Sequence, residues 1–138
     1  MSSVYDQYRQ TAIQTAPPEQ LVVMLYDGAI RFLEQAKVGM QDGKDMSEPL
    51  SRAQDIIVEL ASSLNRAAGE VADNLARLYD FWIQWLLQAQ IRRDSEKVDE
   101  VLGMVRELRE AWASIALQQR RAAAVNAAGA SAALNARG

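Results

Sequence analysis

The pair of residues closest to a proton-transfer couple is Tyr26 and Asp27, a phenol beside a carboxylate in the run Leu25-Tyr26-Asp27-Gly28. Such a couple can do acid–base work when it is positioned on a substrate. An Asp beside a Tyr is more often a solvated or hydrogen-bonded structural residue. The second chemistry worth weighing is that of a helical mutase holding a small dianion with Arg, Lys and Glu alone. It requires several guanidinium groups to converge in an interior. Helical spacing instead sets Arg31, Arg52, Arg77 and Arg106 on the polar arcs of their segments, where charges are usually solvated.

Two absences weigh more than either pair. The chain has no Cys, which excludes thiol nucleophiles, disulfides and thiolate metal sites. It has no His, the commonest general base and metal ligand. A di-iron bundle built on Glu-x-x-His pairs is therefore impossible. The chain reads as a non-enzyme with no cofactor, no metal and no small-molecule substrate.

Whatever the chain does must then be done by surfaces, and its composition decides which elements carry them. At 138 residues it is long enough for one domain with a genuine core. Gly and Pro are scarce and Ala, Leu, Glu, Gln and Arg abundant, which favours helix. Acidic and basic residues, 18 and 15, are mixed along the chain to a net charge of −3. No basic run precedes residue 119, so no nucleic-acid footprint is expected. No window approaches the ~20 apolar residues of a membrane span, and the first residues do not resemble a signal peptide. A soluble, cytoplasmic protein without membrane insertion is expected.

A first helix is predicted from about Pro18 to Gln41, opened by Pro17-Pro18 and closed by Gly39 and Asp42-Gly43-Lys44-Asp45. A second runs from a Ser47 cap to about Arg66, and a third from about Glu70 to Arg92. A fourth, capped by Asp94 or Ser95, runs to about Gln119. Short links between long helices imply an all-α, antiparallel up-and-down four-helix bundle. It is preceded by an N-terminal arm (residues 1–16) and followed by a flexible Ala-rich C-terminal tail. The bundle domain is set at residues 17–119 and the tail, expected to be disordered or weakly helical, at 120–138.

The helices hold more apolar surface than such a core requires. In the first, Leu21, Leu25, Gly28, Ala29, Phe32, Leu33 and Ala36 share one face, while Val23 and Ile30 fall opposite among charges. In the second, Leu50, Ala53, Ile56, Ile57, Leu60, Ala61 and Leu64 form the stripe and Val58 stands outside it. In the fourth, Val98, Val101, Leu102, Val105, Leu108, Trp112 and Ile115 turn inward. The third is apolar almost all round. Val71, Leu75, Leu78, Trp82, Leu86 and Ala89 account for its core face, with Phe81 and Trp85 beside them. Ile83, Leu87 and Ile91 form a second stripe. Either an arm of this chain covers that stripe, or a partner's apolar helix docks on it.

The run Thr15-Ala16-Pro17-Pro18-Glu19-Gln20-Leu21-Val22-Val23-Met24-Leu25-Tyr26-Asp27-Gly28 resembles the start of the flagellin export chaperone family, FliS. Ala53-Gln54-Asp55-Ile56-Ile57-Val58-Glu59-Leu60, Ser63-Leu64, Asn74-Leu75 with Leu78-Tyr79, and Leu108-Arg109-Glu110-Ala111-Trp112 are similar too. The likeness extends from about Tyr5 to Leu117. It implies a cytoplasmic chaperone that binds the disordered C-terminal segment of flagellin, prevents premature polymerisation and helps deliver it to the flagellar type III export gate. It further implies that Tyr5, Tyr8 and Ile13 lie on an arm packed over a client groove. Ile83, Leu87 and Ile91, flanked by Val58, are the expected groove, with Val23 and Ile30 a second candidate. Three departures stand out: Pro17 in place of the usual Ser, the bulk of Trp82 and Trp85, and the tail after Gln119.

Overall fold

The computed structural model describes residues 18–65, 67 and 69–137, and side chains only as far as Leu134. The described residues form four helices and no strand: α1 Pro18–Gln41, α2 Ser47–Ser62, α3 Glu70–Arg92 and α4 Ser95–Arg137. They group into two compact units. One is Met24–Arg109, and the other comprises the described residues of Met1–Val23 and Glu110–Gly138.

Within Met24–Arg109, each helix gives one stripe at three- and four-residue steps to a common core. The stripes are Tyr26, Ala29, Leu33 and Ala36 of α1, and Leu50, Ala53, Ile57 and Leu60 of α2. Ala72, Tyr79, Trp82, Leu86 and Ala89 come from α3, and Val98, Val101, Leu102 and Val105 from α4. Removing each of the larger ones from water contributes roughly 1.5–3 kcal/mol. The polar groups outside specify direction. Asp27 pairs with Arg109, Glu34 with Arg106 and Lys37 with Asp99, so α4 descends as α1 ascends. The antiparallel bundle expected from the short links is what forms.

The turns follow from local chemistry. Gly39 is buried two residues before α1 ends, and a Cβ there would collide with the Met46 side chain. Gly43 takes φ +75°, a conformation that a residue without Cβ reaches at no steric cost. The start of α2 corrects the expected cap. Ser47 is already inside the helix, and Asp45 receives both its backbone N–H (3.0 Å) and its hydroxyl. Those hydrogen bonds hold the Asp45 carboxyl below the usual carboxylate range, with the hydroxyl the larger cause. At the α3–α4 junction Arg93 adopts the left-handed conformation (φ 52°), and Asp94 accepts from the N–H of Glu96 at 3.0 Å. Asp94 is thus the cap of α4.

Four expectations are corrected. α2 stops at Ser62 rather than near Arg66, where the Ser62 and Ser63 hydroxyls turn back onto the carbonyls of Val58 and Leu60. The core face of α3 is rotated: Ala72 and Tyr79 are buried, Leu75 and Leu78 half-buried and Val71 exposed. On α4 Ile115, predicted to turn inward, is exposed, and its neighbour Ala116 is buried instead. Finally, α4 does not end near Gln119. It runs to Arg137, with every residue from Leu117 to Leu134 exposed. Alanine, the strongest helix former, fills this stretch, so local propensity alone favours helix there.

Candidate partner-binding surface

The residues that first suggested chemistry have structural partners. The Tyr26 hydroxyl is 2.7 Å from that of Tyr79, and both side chains are buried. Trp82 meets Tyr26 edge-on, with ring centroids 6.3 Å apart, and lies tilted against Tyr79 at 5.4 Å. Burial pushes the Tyr79 hydroxyl above its ordinary range, and the bond to Tyr26 works weakly against that. Asp27 points elsewhere, accepting from Arg109 Nε at 2.8 Å. Arg31, Arg52, Arg77 and Arg106 are exposed and do not converge. Among the described residues no cluster of carboxylates could hold a metal, and no charged side chain is buried.

The exposed apolar residues are therefore the informative ones. α3 sends Trp82, Leu86 and Ala89 into the core. On one flank of that stripe follow Ile83, half-buried, Leu87, 41% exposed, and Ile91, 79% exposed. Their spacing of four turns the stripe progressively outward, because 3.6 residues complete a turn. Val58 of α2 is 50% exposed. Val23, by contrast, is buried and Ile30 half-buried, so that second candidate offers little open surface. Tyr5, Tyr8 and Ile13, with Pro17, lie outside the described residues.

The opposite flank of α3 is aromatic. Phe81, 42% exposed, stacks on Trp85 with centroids 5.4 Å apart and planes at 24°. Two residues of α4 complete the setting: Lys97 Nζ lies 3.5 Å from the centre of the Trp85 ring, and Glu100 accepts from Trp85 Nε1 at 2.8 Å. The spacing of Phe81 and Trp85 is visible in the sequence, but their partners twelve and more residues away are not. Trp82 is fully buried and shapes the core rather than a groove. Among the described residues no helix is long and apolar enough to cross a membrane. An arrangement with apolar flanks and no convergent polar groups can bind an apolar helix and has little else to offer chemically.

Comparison with known proteins gives the same direction. A family model described as "Flagellar protein FliS" matches residues 1–119. The flagellar secretion chaperone FliS of Salmonella typhimurium is 39% identical over 110 residues, covering 77% of this chain and 82% of the relative. That of Bacillus subtilis is 34% identical over 119 residues, 85% of this chain and 89% of its own. The flagellar secretion chaperone FliSB of Pseudomonas aeruginosa is 32% identical over 117 residues, 79% and 92% of the two chains.

Proposed function

The chain belongs to the FliS family of flagellar secretion chaperones, a family of chaperones and not of enzymes, and from that premise we propose that it binds the disordered C-terminal segment of flagellin in the cytoplasm. Holding that segment prevents premature polymerisation and carries the client to the flagellar export gate. Residues 1–16 act as an arm over the groove, through Tyr5, Tyr8 and Ile13, and move when the client arrives. The groove is the flank of Ile83, Leu87 and Ile91, with Val58 as its neighbour.

One observation carries the reading: a helix already committed to the core through Trp82, Leu86 and Ala89 keeps Leu87 and Ile91 in solvent. An apolar stripe at helical spacing is the receptor half of helix-in-groove recognition. The client orders as it binds, which consumes roughly 2–5 kcal/mol of the gross interaction and keeps it releasable.

The test is calorimetric titration with the C-terminal segment of the cognate flagellin. A one-to-one complex with negative heat-capacity change and a gain in helicity is expected. Leu87→Asp should weaken that complex at least tenfold, a loss of about 1.4 kcal/mol, while the melting temperature stays within a degree or two. An unaltered affinity in the substituted chain would move the groove off α3.

A further inference from the structure

A helix N-cap ordinarily offers a side-chain oxygen to the free amides of the first turn. α2 has Met46 at that position and no such bond from it, and the oxygen comes from Asp45 one residue earlier. What Met46 does instead is pack. Its Cγ, Sδ and Cε lie over the α1 backbone, where a Cβ of Gly39 would stand. Glycine weakens a helix relative to alanine, so Gly39 and Met46 make sense only together. The side chain missing from one is the seat for the thioether of the other. Met46 also forms part of the wall of two cavities. One, of about 320 Å³, is bounded by Phe32 of α1 and Pro49 of α2, and the other, of about 20 Å³, by Met40 and Leu50. The residue is only half-buried, and the chain has no cysteine whose thiol would compete for an oxidant.

We propose that Met46 is a reversible oxidation site, with hydrogen peroxide as its oxidant, whose sulfoxide form unseats the α1–α2 junction. The step transfers one oxygen atom and two electrons. The Met46 sulfur attacks one oxygen of the peroxide, and the O–O bond breaks. The departing oxygen takes the proton of the one transferred and leaves as water. Sulfur is thereby oxidised from thioether to sulfoxide, and the peroxide is reduced. A sulfoxide is polar and bulkier at the sulfur, and that sulfur already lies against the backbone at Gly39. The oxidised side chain leaves its seat, and α2 loses the contact that fixes its entry into the core ahead of Leu50 and Ala53. Methionine sulfoxide reductases, one for each epimer, reverse the change. The device is independent of how a client is held.

Met24, Met40 and Met104 are half-buried as well. Met46→Leu separates Met46 from them, because leucine conserves volume and carries no sulfur. The full chain is treated with graded hydrogen peroxide, the sulfoxide at each methionine is quantified by peptide mass spectrometry, and thermal unfolding is followed by circular dichroism. At complete oxidation of Met46 the melting temperature should fall by roughly 3 °C or more, and the two reductases should restore it. Met46→Leu should melt close to the native chain and lose less than half as much in peroxide. Gly39→Ala supplies a change of sign. Alanine in a helix ordinarily raises stability, but here its Cβ takes the place of the thioether, so the variant should melt lower. It should lose little more on oxidation, since both changes act on one contact. A Met46 that stays reduced while the other methionines react, an oxidised Met46 with an unchanged melting temperature, or a Met46→Leu chain as sensitive as the native one overturns the proposal. A Gly39→Ala chain that melts higher overturns the packing on which it stands.

Discussion

The residue that most changes the reading of the chemistry is Tyr79. Leu78-Tyr79 belongs to the resemblance, yet nothing in a single sequence tells that Tyr79, rather than Leu78, turns inward. α3 is apolar on so many sides that its period leaves the core direction ambiguous by about one residue, or 100°. The hydrogen bond to Tyr26 resolves it, because a buried hydroxyl needs a partner. Replacing Tyr79 by Phe should cost about 1 kcal/mol, the usual net worth of such a bond, read as a lower denaturant midpoint at constant slope. The pH response has a definite sign. The fold holds the Tyr79 proton more tightly than the unfolded chain does, so the pKa rises above its ordinary 10.0. The stability this provides is complete below pH about 10 and is lost as pH climbs through the folded value. The Phe variant should therefore lose stability less steeply on the alkaline side, measured by denaturation at a series of pH values.

At the scale of elements, legibility followed the punctuation. α1 and α3 begin and end where Pro, Gly and charged turns place them, because those residues act through backbone geometry that needs no tertiary context. α2 and α4 differ for opposite reasons. Two serines end α2 by competing for its carbonyls, and alanine extends α4 where no packing rewards it. The exposed Leu87–Ile91 flank was also visible, since an excess of apolar positions on one helix shows in the period alone. The burial of Val23 was not, because nothing in its local pattern distinguishes it from Ile30. The α3–α4 junction supplies the prediction at this scale. Asp94 holds the Glu96 N–H in place of a helical carbonyl, and Asp94→Ala should cost about 1 kcal/mol. Thermal melting would register it as a lower midpoint with client binding intact.

For the whole molecule, the same helical framework separates stability from recognition. The residues that close the core are deeply buried, while those proposed to meet a client are exposed on one flank of α3, so each set can be altered with little effect on the other. The departures from the family pattern divide along that line. Trp82 became part of the core, Trp85 part of an aromatic surface braced by Lys97 and Glu100, and the Ala-rich segment an extension of α4. Substitutions that leave Trp82 alone and vary Leu87 or Ile91 should change affinity before they change folding.

The ion pairs between α1 and α4 have a kinetic meaning as well. Read along α1 the charges of Asp27, Glu34 and Lys37 run negative, negative, positive; met in the same order, Arg109, Arg106 and Asp99 run positive, positive, negative. Were α4 to dock in the parallel sense, two of the three meetings would be between like charges. The seam thus tells the two ends of the chain which way round to meet, across separations of 62 to 82 residues that are the slowest to close. This guidance acts at a distance, before side chains interlock, and salt shortens its reach from about 8 Å at physiological strength to about 3 Å at 1 M. Refolding followed by stopped-flow fluorescence should accordingly slow, or acquire an additional phase, in molar sodium chloride. The same salt should leave the equilibrium stability of the finished bundle within about 1 kcal/mol, because exposed pairs contribute little once the core has closed.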